Sequence, residues 1–392
     1  MRIAIINFDS VINAYSGTAK VFADMANALT AKGHDVFTLA YDLRDGEPGF
    51  KFDERVHFTN CCAGIYEKLF HNEGIAKLKT FFISDRKKRR IKRYQYELEA
   101  KSHSIAKAID VAKPDVIITF QHEITYLLME IIGTKVPVIS MIHSTPTYYF
   151  DRPEFEDLFK SSLERCACVQ VLLPEFIEET KKYLPHQKVV AIPNVVPQYE
   201  ERSEFSKRKP VIINVAKVSG KKRQDFIVDA FAKLVSQYPN WRVDIWGWDQ
   251  TEFAKQLAEH IKKSNLSSVV SLRGETDNVP EKLRSASIFV FPSVREGFGI
   301  ALAEAMSMGL PVIACRSCTA ARALVQHGVN GLLCEDSVED LAKTMEFLIN
   351  HPDVRQRLGE NAQISMKHYA PNVIWDQWDQ LLRDTVQKHS LT

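Results

Sequence analysis

Ile288-Phe289-Val290-Phe291-Pro292-Ser293-Val294-Arg295-Glu296-Gly297-Phe298-Gly299-Ile300-Ala301-Leu302-Ala303-Glu304-Ala305-Met306 reads as a strand, a turn and a helix. Its first four residues are apolar without alternation, as in a strand covered on both faces of a parallel sheet. The glycine-flanked helix start leaves backbone N–H groups at a positive dipole end, which suits an anion. The pattern recurs along the chain. Candidate strands are Ile3–Phe8, Val36–Ala40, Val116–Phe120, Val138–Ile142, Val169–Leu173 and Val189–Ile192, then Val211–Val215, Arg242–Trp246, Val269–Arg273, Ile288–Phe291, Val312–Ala314 and Gly331–Cys334.

Amphipathic stretches lie between them. Val21, Phe22, Met25, Ala26 and Leu29 share a face before Gly33, and Phe226, Ala230, Phe231 and Leu234 do so in the second series. Strand–helix alternation in two sets predicts two doubly wound α/β domains. The break follows Pro193-Asn194, and charged, Pro-bounded Pro197–Pro210 reads as the linker. The expected organisation is a domain over 1–195, a second over 196–368, and a C-terminal helical segment over 369–392. Ile374, Trp375, Trp378, Leu381 and Leu382 share one face of that last segment. Ligands of open α/β sheets sit beyond the carboxyl ends of the strands, so two facing domains would hold one in the cleft between them.

The bulk properties agree with a soluble two-domain protein. The chain has 392 residues, 45% hydrophobic and 26% charged, with a net charge of +2 that implies no class of partner. No apolar run approaches a bilayer span, and the N-terminal run is too short for a signal sequence. Seven irregularly spaced cysteines argue against a disulfide framework and for a reducing, cytoplasmic setting. Cys315-Arg316-Ser317-Cys318 has no second pair, so buried thiols are favoured over zinc.

Two constellations carry chemistry. Glu296 stands before the helix start and Glu304 eight residues on, roughly 12 Å along a helix axis, about the span from a sugar across a diphosphate to a ribose. Taken singly they read as a helix-terminus acid and a surface residue. Glu304, however, lies within an apolar helix, where an unpaired carboxylate is costly. The second constellation is Asn214–Phe226, a strand-to-helix turn bearing Lys217, Lys221, Lys222 and Arg223. A solvated basic turn is the plain reading; cations that hold a departing diphosphate are the functional one. Metal-dependent sugar transfer normally uses an Asp-x-Asp, and the chain has none.

The run P-S-x-x-E-G-F-G-x-x-x-x-E-A-M-x-x-G-x-P-V resembles the E-x7-E signature of retaining glycosyltransferase family four, whose fold is GT-B. The resemblance implies that Glu296 contacts the donor sugar and Glu304 the ribose, with Gly297, Phe298, Gly299 and Ile300 at the phosphates. It places the diphosphate clamp on Lys217 and Lys222. Here the chain departs from the family's G-R-L…K-G turn: Ala216 replaces a glycine, Lys217 the arginine and Arg223 the second glycine. Tyr15-Ser16-Gly17-Thr18-Ala19 is similar to the acceptor-side glycine loop, so Gly17 carries over. His143, just past Val138–Ile142, looks like the histidine bordering the donor sugar. Gly274, Glu275 and Thr276 correspond to the stretch whose backbone reads the nucleobase, and Trp246-Gly247-Trp248-Asp249 to a G-x-G turn. Ser317–Ala323 departs from the family's G-x-x-E.

The function implied is retaining, metal-independent transfer of a sugar from a nucleotide donor, a UDP-sugar, to a glycan or lipid-linked acceptor in surface polysaccharide or glycolipid assembly. No cofactor and no metal are implied. A GT-B epimerase, a glycan phosphorylase or a non-catalytic sugar-nucleotide or membrane-binding module are the alternatives. A dehydrogenase is disfavoured because no G-x-G-x-x-G follows Ile3–Phe8. Arg86–Arg93 carries seven basic residues in eight and follows Phe81-Phe82-Ile83. It reads as a solvated helix face, or as a contact with an anionic acceptor or the inner membrane leaflet. Nucleic acid has no supporting fold signature.

Overall fold

The computed structural model describes residues 1–62, 77–152, 154–199 and 205–391. The chain divides into two compact units, Met1–Asn194 with Ile374–Thr392, and Val195–Val373. In the first, β1 (Arg2–Asn7), β2 (Asp35–Ala40), β3 (His57–Asn60), β4 (Val116–Thr119), β5 (Val138–Ile142), β6 (Cys168–Val171) and β7 (Val189–Ala191) form a parallel sheet in the order β3-β2-β1-β4-β5-β6-β7. The order reverses between β1 and β4. The second sheet is again parallel, with β8 (Val211–Val215), β9 (Arg242–Trp246), β10 (Val270–Leu272), β11 (Ile288–Phe291), β12 (Val312–Cys315) and β13 (Leu332–Cys334) in the order β10-β9-β8-β11-β12-β13. Its reversal lies between β8 and β11.

The strands are apolar because helices cover them. β4 and β5 are buried at every position, as are β11 and β12. Helix α1 (Gly17–Ala31) buries Phe22 with its ring 5.3 Å from that of Phe120. Helix α2 (Arg86–Ala112) follows, and in the second unit α3 (Gln224–Ala232) packs Ile227, Val228 and Phe231 into the core. Each fully buried large aliphatic or aromatic side chain contributes about 1.5–3 kcal/mol. Helix α4 (Ile300–Ser307) follows β11, and α5 (Pro371–His389) closes the chain. From Ile374 onward α5 belongs to the first unit, where Asp376 pairs with Lys32 and Asp379 with His34 at 2.7 Å. Ile374, Trp378, Leu381 and Leu382 are buried; Trp375 is only half-buried.

Three features differ from the sequence expectation. β3 escapes it because His57-Phe58-Thr59-Asn60 is a polar edge strand, fixed by its pairing with β2 and by His57 stacking on Phe37 at 4.5 Å. Phe8, Phe120, Leu173 and Ile192 continue apolar runs yet lie past the strand ends. The segment 197–210 is not a free linker where it is described, positions 200–204 lying outside the described residues. Gln363 donates to the Tyr199 carbonyl at 2.8 Å and Arg208 to that of Met308 at 3.1 Å, so polar and charged side chains fasten it to the second unit. All seven cysteines are buried. Among the described residues no helix is long and apolar enough to cross a membrane.

Candidate active site

The second sheet sets the site at its reversal. β8 and β11 pair through Ile212 and Ile213 and then part. Asn214 bridges the opening, its buried Nδ2 donating to the Val290 carbonyl at 2.9 Å. The Lys217 turn leaves β8 and the Glu296 segment leaves β11, so both emerge at the carboxyl edge where such sheets bind ligands. There Lys222 and Glu296 form an ion pair, with side chains 27% and 16% exposed.

The basic turn is held by its neighbours. Gln224, wholly buried at the start of α3, accepts from the Ser219 N–H at 3.2 Å and donates to the Lys217 carbonyl at 3.1 Å. Ala216 and Val218 donate their N–H groups to the Trp246 and Trp248 carbonyls, each at 2.9 Å. The Gly247 N–H in turn reaches the Gly274 carbonyl at 2.8 Å, which ties in the Gly274-Glu275-Thr276 stretch. Gly247 has φ +136°, and a Cβ there would lie 2.1 Å from the Ala216 oxygen, so no side chain fits. Arg223 adopts a left-handed φ of 53°, a conformation that glycine reaches without a side-chain penalty. Its guanidinium pairs with Asp336 at 2.5 Å and covers the Phe226 ring at 3.8 Å. Asp336 also accepts from the Ser317 hydroxyl at 2.9 Å. Burial raises the Asp336 carboxyl, but the Arg223 and Ser317 bonds outweigh it and hold it below the usual range. Arg223 is therefore engaged with a carboxylate.

The Glu296 segment is a loop over 296–299, not helix. Gly299, at φ +84°, begins α4 and, as a glycine, supplies no side-chain cap to its first N–H groups. The helical rise then separates Ile300 from Glu304 by about 6 Å; the loop sets the remaining distance between the two glutamates. Gly297 and Phe298 are buried, with the Phe298 ring 5.4 Å from Tyr369. Glu304 is half-buried and near Tyr199, whose phenol burial pushes up to about 12 with the help of that carboxylate. Cys318 lies within electrostatic reach of Glu296 and Lys222; burial pushes its thiol up to about 11.

The first unit presents its own carboxyl edge. Gln121, after β4, donates to Asn7 at 2.8 Å and accepts from the Phe8 N–H at 2.9 Å, joining the ends of β1 and β4. His143 follows β5, its ring 4.6 Å from that of Phe120. Its Nε2 is shielded from solvent without a hydrogen-bond partner among the described residues, and burial pushes the imidazole down to about 4. His143 is thus neutral near pH 7. Gly17 opens α1 behind Ser16, whose Oγ accepts from the Ala19 N–H at 3.2 Å as a helix cap. Lys217, Lys222, Gly274–Thr276, Glu296–Ile300 and Glu304 thus lie in the second unit, and Gly17 and His143 in the first.

The basic stretch forms the first turns of α2, an unfavourable place for seven cations. Acids offset part of it: Lys87 pairs with Asp157 at 2.5 Å, Arg90 with Glu154 at 2.6 Å and Arg93 with Glu97 at 3.2 Å. Arg86, Lys88 and Lys92 are exposed, as are Phe81 and Phe82, at 71% and 91%.

Sequence reading missed Gln224 and Asp336 as organisers of the turn. A glutamine on the buried face of an amphipathic helix start is a signal for the first. Nothing local marks the second.

Comparison with known proteins gives the same architecture. A family described as glycosyl transferases group 1 matches residues 195–365, and one described as glycosyltransferase family 4 matches 15–198. The N-acetyl-alpha-D-glucosaminyl L-malate synthase of Bacillus anthracis is 22% identical over 99% of this chain and 98% of its own. A Campylobacter jejuni alpha-1,4-N-acetyl-D-galactosaminyltransferase named for a diNAcBac-PP-undecaprenol-linked substrate is 24% identical over 94% and 95%. The structure of a point mutant of S. aureus TarM with Fondaparinux, alpha-GlcNAc-glycerol and UDP superposes with a TM-score of 0.76 at 13% identity, covering 97% of this chain and 100% of that one. Two parallel α/β units of this order are the GT-B architecture. Together the two family matches span residues 15–365 and support a glycosyltransferase of family four.

Proposed function

We propose that this glycosyltransferase moves a sugar from a uridine-diphosphate donor to a hydroxyl of a glycan or lipid-linked acceptor, with retention and without a divalent metal. The Lys222–Glu296 ion pair carries the reading, because it sets a cation and a carboxylate beside the glycine-begun start of α4. Lys222 and Lys217 take the negative charge that develops when the sugar–phosphate bond breaks, which a divalent ion would otherwise hold. Glu296 accepts from donor-sugar hydroxyls and Glu304 from those of the ribose. The N–H groups of α4 face the phosphates. Neutral His143 serves as a hydrogen-bond partner of the sugar rather than as a cation. The acceptor oxygen bonds to the anomeric carbon on the face the diphosphate leaves, and its proton passes to the departing phosphate oxygen. No protein nucleophile is required.

The uridine base and a glycan or lipid-linked acceptor draw support from the ligands and substrates named for the relatives. Thermal stabilisation by a panel of nucleotide sugars tests the donor, since a ligand of the native state stabilises by its affinity. Stabilisation by adenosine or guanosine donors alone would exclude uridine. The anomer of the product and the effect of chelator test retention and metal independence.

Work at the inner face of a membrane, in surface polysaccharide or glycolipid assembly, belongs to the same proposal. Arg86, Lys88 and Lys92 supply exposed positive charge, and Phe81 and Phe82 supply apolar surface. Co-sedimentation with anionic but not zwitterionic vesicles is the expected result; equal behaviour with both would refute it.

A further inference from the structure

The Lys217 ammonium lies 4.2 Å from the ring centroid of Trp248, a residue 40% exposed. The two side chains meet because their turns are joined backbone to backbone. The Val218 N–H donates to the Trp248 carbonyl, Thr251 fixes the Val218 carbonyl at 2.8 Å, and side-chain-free Gly247 lets the turns close. Two other cations of the turn face carboxylates, Lys222 that of Glu296 and Arg223 that of Asp336. An ion pair offsets the charge it orders. An aromatic face orders an ammonium and leaves its charge whole.

We propose that Trp248 is a positioning residue for the donor diphosphate: its indole face gathers the flexible Lys217 stem and presents an uncompensated cation to the phosphate farther from the nucleoside. A lysine carries a point charge on four rotatable bonds and lacks the pre-organised fork of an arginine, so it gains most from such a platform. The inference rests on Lys217 being part of the diphosphate clamp.

Binding of UDP and UMP to the intact enzyme tests it, with Trp248→Ala, Trp248→Leu, Trp248→Phe, Lys217→Ala and the Lys217→Ala/Trp248→Leu double variant. Loss of the indole face should weaken UDP about three-fold and leave UMP unchanged. Trp248→Phe should recover most of the loss. Trp248→Leu should have no further effect once Lys217 is alanine. Equal weakening of UDP and UMP would make Trp248 a base platform or a fold residue and overturn the proposal, as would a loss that persists without Lys217. Trp248→Leu keeps the bulk should Trp248→Ala fail to fold. If Lys217→Ala leaves UDP binding intact, the clamp itself is wrong and the proposal falls with it. If only the Trp248 variants are silent, the clamp stands and the positioning role falls.

Discussion

Lys222 and Glu296 meet across the carboxyl ends of β8 and β11, the two strands between which the second sheet reverses its winding. They are 74 residues apart in the chain. Neither is fully buried, so the pair is a weak source of stability and its value lies in where it puts the two charges.

Removing either partner should lower transfer strongly with little loss of fold. Glu296→Ala or Lys222→Ala is expected to reduce turnover by about 10²-fold or more. The double variant should lose less than the product of the single effects, because the two act as one unit. Steady-state transfer with thermal melts checks this, and additive losses would show the residues to be independent.

Gly247→Ala should damage both fold and donor binding. The new Cβ would press on the Ala216 oxygen at 2.1 Å, at a φ few side chains adopt. A loss of at least about 2 kcal/mol follows from the strain and overpacking together. Denaturant unfolding measures it; an unchanged midpoint would contradict the geometry.

His143 gives a pH dependence with a definite sign. Its folded value of about 4 lies below the usual 6.5, so protonation disfavours the native state. Its stabilising contribution is complete above about pH 6.5 and is lost as pH falls toward 4. His143→Gln should therefore flatten the stability profile between pH 6.5 and 4 relative to wild type, by up to about 3 kcal/mol. Parallel profiles would mean that His143 titrates normally.

On α2, charge reversal of Arg86, Lys88 and Lys92 should abolish vesicle binding while melting stays near wild type. At about 1 kcal/mol for each basic residue, neutralising all three weakens partitioning about 10²-fold. Lys87→Ala and Arg90→Ala should instead act on stability through Asp157 and Glu154. Equal effects of both sets on binding would remove the distinction.

Much of this was legible in the sequence, and the reason differs from feature to feature. The strand-to-helix alternation follows from apolar runs, which are local. Glu296 and the lysine turn were legible because both lie at strand ends, where the chemistry of a parallel sheet collects. Helical rise covers only part of the span between Glu296 and Glu304, since the helix begins at Ile300 after Gly299 at a left-handed φ. Gln224, Asp336 and Trp248 act through carbonyls, guanidinium and ammonium groups of another turn, and such pairings have no signature in the order of residues. β3 was hidden because its pairing, not its composition, makes it a strand.

Arg223 bears on how such a chain can change. A left-handed backbone costs a residue with a side chain about 1–2 kcal/mol that glycine avoids. Asp336 and Phe226 offset that cost only while both are present. Arginine at 223 is thus conditional on a carboxylate 113 positions further along the chain. Losing Asp336 first would make glycine the better residue at 223, so the two positions are free to vary only in a particular order.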